Sequence, residues 1–590
     1  MEPHSPKPSP ERLTANGSIK ETDVKLLIAL TALLLVPLAA LHAAEIHIQD
    51  FGAAGNGTAD DTAALEKAVA ALAAAPKPAA LRFAAGRTYR IASGTGYAIR
   101  LQDQERVRIE GAGATLLLGA DRRGISLRSC QDVAVHGLRV DYDPLPFAEA
   151  LVTGVDPASR AVVARIDEGF AMPPPGGPTN TGGEQAYFAM LWNPGPHALR
   201  STHCWVADMT PMPNDARLMR VITAESFHDW NVIQPGTTRM TLPVRGIAHR
   251  PGAGAVMELV GNRDIVIEDV EVWSAPWFAW VVQGNEGRVT LRRVQVRPRP
   301  GSARITSSWR DGLHVKGNRA RLLFEDCVLE GMNDDAFNIA THLSQVVGVE
   351  GQKLRVRQNF PLGYVGWRVG DALEGYATNT GILLERARVL AVEEQPDSNP
   401  DHAPQVTLTL DRAVPLLAVG DQVWAVEAAN PDTTLRRCTI RNSCRFQSRV
   451  TLEDCHVTAL LWFYGETIEG PLPSGSVVRH CRLRLGRGNP DIAVACSGRL
   501  NGLPTPPATI GMPPLMGLRF EENEIDGRFD LRHAQKVQLV NNRFASERGQ
   551  LTISDCREVL LKGNRLGEEV MPAARIQIED QATRDSVQQQ

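Results

Sequence analysis

Several features are missing from this chain of 590 residues, and each absence excludes a class of function. There is no basic excess: 63 Lys and Arg stand against 67 Asp and Glu, a formal net charge of −4, so nothing favours a nucleic acid as partner. There is no CxxC pair and no Cys/His spacing of the kind that holds zinc. The nine cysteines are an odd number. Four of them, Cys327, Cys438, Cys455 and Cys481, occupy one slot of a repeat, which predicts small apolar fillers in stacked coils and not a disulfide framework. No apolar run is long enough for a comfortable membrane span: Leu26–Ala40 is short for that purpose. Aromatic content of 5% and charged content of 22% are ordinary for a folded soluble protein. No cofactor and no metal are expected, and a neutral polymer such as a carbohydrate fits the charge balance as a partner.

What is present is a repeat. Phrases such as Ile265-Val266-Ile267-Glu268-Asp269-Val270, Val289-Thr290-Leu291-Arg292-Arg293-Val294, Leu322-Leu323-Phe324-Glu325-Asp326-Cys327 and Val450-Thr451-Leu452-Glu453-Asp454-Cys455 recur along the chain. Several neighbouring copies along the chain lie about 18 to 26 residues apart, the spacing of a solenoid coil. Period-2 alternation marks half-buried strands, and the polar pair after each strand marks a tight corner. The fold class predicted is all-β: a right-handed parallel β-helix with an N-terminal capping helix and two inserted β-barrel-like subdomains.

The organisation follows from where the repeat is broken. Residues 1–44 read as a signal peptide, Lys25 preceding the apolar core, with cleavage near Ala44 and a secreted or periplasmic body that keeps no stable membrane span. Residues 45–142 hold the cap and first coils. Asp60 or Asp61 caps a helix from Thr62 that closes the end of the stack. Residues 143–246 form a first β-rich insertion, 247–342 the central coils, 343–429 a second barrel-like insertion, 430–579 the C-terminal coils, and 580–590 a polar tail expected to fray. Only 17 residues separate Cys438 from Cys455, so a strand is expected to be missing after Phe446.

The chemistry is concentrated in the central coils. Asp311 lies in Trp309-Arg310-Asp311-Gly312-Leu313-His314, and Asp334 and Asp335 follow about one coil later in Gly331-Met332-Asn333-Asp334-Asp335-Ala336-Phe337-Asn338. Coiling brings the three carboxylates together, where they shift each other's protonation. Such a cluster supports acid/base hydrolysis of a glycosidic bond. Both adjacent aspartates face one groove only if the backbone kinks there, since side chains on a regular strand alternate. Around them, His314 reads as a sugar hydrogen-bonder or a satisfied corner histidine, and Trp309 as a sugar platform or a cover for the coil. Asn338 reads as an internal ladder residue or a ligand. His342, Glu466 and Glu469 are candidate groove residues.

The stretch from Arg299-Pro300-Gly301-Ser302 through Asp311-Gly312-Leu313-His314 and Glu325-Asp326-Cys327 to Asn333-Asp334-Asp335-Ala336-Phe337-Asn338 resembles glycoside hydrolase family 110. The opening Asp50-Phe51-Gly52 to Asp60-Asp61-Thr62 segment resembles the start of pectate-lyase-like β-helix proteins. The first resemblance implies an exo-acting, inverting α-1,3-galactosidase whose essential acids are Asp311, Asp334 and Asp335, acting on an α-galactosyl glycan. The one-plus-two aspartate pattern is similar to that of polygalacturonases, which implies Asp334 as acid with Asp311 and Asp335 holding the water. The chain departs from the pattern at Ser274-Ala275-Pro276-Trp277-Phe278-Ala279-Trp280, where bulky aromatics replace small residues. Two other readings stand beside this one: a polysaccharide lyase or other pectin-degrading β-helix enzyme, and a non-catalytic carbohydrate-binding solenoid.

Overall fold

A computed structural model describes residues 43–176, 188–195, 199–244, 255–358, 366–378, 382–395, 404–466, 469–487, 491–501 and 515–590. The segment read as a signal peptide lies outside them, apart from Ala43 and Ala44. The strand-corner phrases close into coils. One sheet of twelve strands runs from Gly96–Gln102 to Ile576–Ile578, and a larger one carries two short strands per coil, such as Arg263–Glu268 and Glu271–Val272. Neighbouring coils pair in parallel, Ile265 with Val289 and Val289 with Leu322. The inward column of valines, leucines and isoleucines joins one core along the solenoid axis. The molecule is therefore a parallel β-helix.

The corner between the two strands of each coil needs a left-handed backbone. Asp269, Arg293, Asp326, Arg437, Asp454, His480, Glu522 and Asn541 all take φ between 51° and 56° there. Gly137 and Gly563, at 64° and 62°, meet that demand without a side chain, and the other copies carry strain of the kind non-glycine residues rarely accept. The residue just before each corner lies on the outer face, much of it covered by its neighbours, and alternates in charge: Glu268, Arg292, Glu325, Arg436, Glu453 and Arg479 are register partners coil by coil. Arg292 bonds Glu268 at 2.7 Å and Glu325 at 2.9 Å, and Arg436 bonds Glu453 at 2.9 Å.

Inside, buried asparagines form a ladder. Asn262, Asn285, Asn318 and Asn430 each pass a side-chain amide to the next, with Asn285 Nδ2 donating to Asn318 Oδ1 and Asn318 Nδ2 to Asn430 Oδ1, both at 2.9 Å. A second ladder joins Asn523, Asn542 and Asn564. Asn338 belongs to neither. The four repeat-slot cysteines are buried and free, as small fillers require.

The α-helix Thr62–Ala74 covers the first coils through Leu65, Ala68 and Leu72. Its first-turn N–H, on Thr62, bonds the Asp60 carboxylate at 3.1 Å, while Asp61 turns back to accept from Ala54 and Gly55. Two closed six-stranded barrels hang on the solenoid, one built from strands between Phe147 and Pro243, the other from strands between Ser344 and Ala425. The barrel loops are tolerated because each begins and ends at a coil corner: the strand after the second barrel, Asp432–Arg436, pairs directly with Arg321–Glu325.

Two local expectations fail. The coil from Cys438 to Cys455 is complete: Thr439–Ile440, Cys444–Phe446 and Thr451–Glu453 each pair with neighbours above and below. It is short because its corners use few residues, not because a strand is absent. The tail does not fray either. Asp580 accepts from Thr583 N–H at 2.8 Å to cap the helix Gln581–Ser586, and Val587–Gln589 pairs with Val559–Leu561. Among the described residues no helix is long and apolar enough to cross a membrane.

Candidate active site

The site is built from the register of successive coils. Trp280, Leu313 and Phe337 are partners in the twelve-stranded sheet and point inward. One residue along, His314, Asn338, Arg445 and Trp462 are partners on the outward face. Two residues before each strand, the same register aligns Phe278, Asp311 and Asp335. Backbone bonds from Ala279 N–H to Asp311 and from Gly312 N–H to Asp335 hold them there. Asp311 and Asp335 are therefore neighbours in adjacent coils, and Asp334 sits one residue earlier, opposite Arg310. The chain bends at Asn333–Asp334. That bend is the kink that lets consecutive aspartates share one side.

One carboxylate oxygen from each of Asp311, Asp334 and Asp335 lies within 4.8 Å of the other two. Asp311 is 2% exposed and Asp335 4%, whereas the Asp334 side chain keeps 22% of its surface open. Burial, reinforced by the Asp334 charge, pushes Asp311 up to about 8. Burial and the same neighbour also raise Asp335 well above the ordinary carboxylate range. Asp334 accepts from Arg310 Nη1 at 2.9 Å. The three titrate together, so protons belong to the cluster and not to one member.

Around the acids stands a ring of partners. Asp311 Oδ2 and His314 Nδ1 are 2.7 Å apart. Burial and the Lys316 charge depress His314 to about 3, so its imidazole is neutral. Phe278 stacks on that ring at 4.2 Å. Asp335 accepts from the Ser443 hydroxyl at 2.9 Å and faces Arg445 Nε at 3.5 Å. Lys316, buried, donates to Asn338 Oδ1 at 2.9 Å and lies 3.4 Å from Glu469, which also faces Arg445 at 3.3 Å. Burial alone would raise Glu469; Lys316, His314 and Arg445 together hold it down at about 2. His342 lies in the same field, depressed to about 3 by burial and by Lys316.

Sequence reasoning named some of these residues and missed others. The structure brings together Asp311, Asp334, Asp335, His314, Asn338, His342 and Glu469. Trp309 is a correction: it is 0% exposed, packed with Phe147, Met190 and Trp192 of the first barrel, so its ring has no face to offer a sugar. Asn338 is a correction of the ladder reading, since its side chain points outward to Lys316. Glu466 ends the strand Leu461–Glu466, and its side chain lies outside the described residues. Arg310, Lys316, Ser443 and Arg445 were missed, as was Tyr464, whose hydroxyl accepts from Arg445 Nε at 2.7 Å. Period-2 alternation from His314 marks Lys316. Arg445 and Ser443 were hidden because their coil was judged incomplete.

Three clustered carboxylates are also the donor set of a hard cation. Here Arg310, Arg445 and Lys316 already face the cluster and its neighbours, which leaves little unbalanced negative charge for a metal to neutralise.

The raised Asp311 carries a stability consequence that needs no substrate. Its folded value of about 8 stands above the ordinary 3.8. Its contribution is therefore fully present below about pH 4 and lost as pH rises through about 8. Asp311→Asn removes a titration of that sign. The variant's Tm relative to wild type should climb between about pH 4 and 8. A Tm difference that stays flat across that window, or falls, contradicts the assignment.

No family model matches the chain. Its curated relatives are alpha-1,3-galactosidases at modest identity. Alpha-1,3-galactosidase A of Bacteroides fragilis is 20% identical over 432 residues, 68% of each chain. The enzyme of the same name from Akkermansia muciniphila is 25% identical over 315 residues, 50% of this chain and 49% of its own length. The match thus spans about half of that second relative. That of Streptomyces avermitilis is 22% identical over 444 residues, 67% of this chain and 69% of the relative. Similar solved structures include the catalytic unit of a thermostable GH87 alpha-1,3-glucanase from Streptomyces thermodiastaticus, with a TM-score of 0.38, 12% identity and coverage of 93% and 69%. A family 28 exopolygalacturonase of Yersinia enterocolitica has a TM-score of 0.37, 10% identity and coverage of 91% and 78%.

Proposed function

We propose that this chain is a glycoside hydrolase that removes a terminal α-linked galactose from an oligosaccharide or glycan, acting from the chain end and with inversion. The observation that carries the reading is the carboxylate cluster: three acids within 4.8 Å, on an outward sheet face lined by Lys316, Arg445 and Glu469. The names of the curated relatives support the sugar and the linkage class. The exported location inferred from the Leu26–Ala40 segment suits an enzyme that meets extracellular glycans.

The division of labour follows exposure. Asp334 is the open carboxyl, so it reaches the leaving oxygen. Its proton is drawn from the cluster, since Asp311 and Asp335 hold protons within 4.8 Å. Moving that proton to Asp334 leaves a buried carboxylate ready to act as base, and the total proton count is unchanged. In the reaction Asp334 protonates the glycosidic oxygen as the bond to the anomeric carbon breaks. A water held by Asp311 and Asp335 attacks that carbon and gives its proton to the carboxylate. The net change is addition of one water across the bond.

Burial favours inversion. A retaining enzyme needs a second carboxylate that touches the anomeric carbon; the oxygens here lie within 4.8 Å, close to the retaining separation of about 5–5.5 Å, so the reading of inversion rests on the low exposure of Asp311 and Asp335, 2% and 4%, and on the family resemblance. End-of-chain action fits the setting. The first barrel packs on Trp309, two residues from Asp311, and the second begins at Ser344, two residues after His342.

Purified protein should cleave an aryl α-galactoside or an α-1,3-linked galactobiose with EDTA present. Proton NMR of the first product should show the β-anomer. Release of α-galactose first overturns inversion. Cleavage of no α-galactoside overturns the sugar assignment, and ultraviolet absorbance from an unsaturated product that vanishes with chelator overturns the hydrolase reading in favour of a lyase.

A further inference from the structure

The segment Arg304–Trp309, which leads into Arg310 and Asp311, is gripped from outside its own coil. Strand Phe147–Asp156 of the first barrel turns Ala148 and Ala150 into the barrel core and turns Phe147 and Glu149 the other way. Phe147 packs on Trp309. Glu149, 0% exposed, accepts from Ile305 N–H at 3.0 and 3.1 Å and from Thr306 N–H at 2.9 Å. Thr241, the register partner of Glu149, bonds the Thr306 hydroxyl at 2.8 Å and accepts from Trp192 Nε1 at 2.9 Å. On the other flank Arg304 makes a two-pronged bond to Asp141 at 2.8 and 2.9 Å.

A buried carboxylate aimed at two backbone N–H groups is costly to place and strong once placed, because a charged acceptor bonds about twice as strongly as a neutral one. Burial pushes Glu149 up to about 7 while the two N–H groups pull it back. The charges facing it are Arg239, 3.8 Å away, and Asp167 beyond it. Its hydrogen bonds go to the segment it faces, and within the barrel its carboxylate meets Arg239 at the longer distance of 3.8 Å.

We propose that Glu149 is a positioning residue of the reaction: it fixes Ile305 and Thr306 and thereby the path of the chain into Arg310 and Asp311. The first barrel then serves the chemistry as a clamp on the catalytic coil. This rests on the reading of Asp311 and Asp334 as catalytic groups. Displacement of a reacting group by about 1 Å costs about 10²-fold in rate, and the loss falls on kcat when only the transition state is affected.

The test compares Glu149→Ala, Glu149→Gln and Thr241→Val with wild type, well below each Tm. Glu149→Ala should lose about 10²-fold in kcat with KM nearly unchanged. Glu149→Gln keeps one acceptor oxygen and should fall between. Amide exchange of Ile305, Thr306 and the residues to Asp311 should quicken in the alanine variant, while the barrel strand Ala161–Ile166 stays protected. Wild-type kcat in a folded Glu149→Ala, or unaltered exchange at 305–306, overturns the proposal. If Glu149→Ala does not fold, the other two variants decide: lowered kcat at unchanged Tm supports the clamp, and wild-type kcat in both overturns it. A wild-type protein that cleaves no glycoside sinks the catalytic reading, and with it the kcat arm, while the exchange arm still decides whether the clamp exists.

Discussion

Asp334→Asn should leave a folded protein that hydrolyses its best α-galactoside about 10²–10⁴-fold more slowly, the range a positioned acid or base contributes. Asparagine keeps the shape and still offers Arg310 an oxygen at the 2.9 Å contact, but it delivers no proton. The leaving group separates acid from base. An aryl leaving group of low pKa departs with little protonation, so the Asp334→Asn defect should shrink on a dinitrophenyl galactoside. Asp311→Asn and Asp335→Asn should be slowed by a comparable factor whatever the leaving group, because both hold the water. A near wild-type rate for Asp334→Asn, or a defect that ignores the leaving group, removes Asp334 from the acid role.

The second large effect is on stability. Asn318→Ala should lower the urea midpoint strongly. Asn318 Oδ1 accepts from both Asn285 N–H and Asn285 Nδ2, and its amide donates to Val282 carbonyl and Asn430 Oδ1. Alanine leaves the Asn285 N–H and the Val282 carbonyl buried and unpaired, at about 1–3 kcal/mol each. The expected loss is thus about 2–6 kcal/mol, and it falls where the chain crosses the second barrel insertion, between coils joined by Asn318 and Asn430. Asn564→Ala at the end of the other ladder also strips an N–H, that of Asn542, and a carbonyl, that of Leu539, but Asn564 is 9% exposed where Asn318 is 0%, so water reaches the groups it leaves; it should cost less. Equal midpoints for the two variants contradict the cooperative ladder.

The architecture was readable because a solenoid writes itself locally. Each coil repeats one strand-corner phrase, and period-2 alternation plus a polar corner suffices to place it. The short coil from Cys438 to Cys455 defeated the reading since residue count is a poor ruler when corners differ in length. At the site, adjacency of Asp311 and Asp335 follows from coil length, and the bend at Asn333–Asp334 could be stated only as a condition. Trp309 was ambiguous for a general reason. Its fate depends on Phe147 and Trp192, which come from a barrel more than a hundred residues upstream, and no local pattern reports such packing. Lys316 and Arg445 face outward on strands whose outward positions usually meet water; only the three-dimensional cluster shows that they are enclosed.

The alternating column Glu268, Arg292, Glu325, Arg436, Glu453, Arg479 has an arithmetic consequence. Each inner member, from Arg292 to Glu453, meets the opposite sign above and below. Individual pairs of this partly exposed kind contribute only about 0–1 kcal/mol. Parity is what the column enforces. Loss or duplication of a single coil sets like against like at the seam, and directly opposed like charges on a sheet are destabilising. Loss or duplication of two coils restores the order. The barrel between Glu325 and Arg436 does not disturb the count, because it inserts residues without inserting a coil. Solenoids of this lineage should therefore grow and shrink in even steps along this face, and tolerate excursions of any length between them.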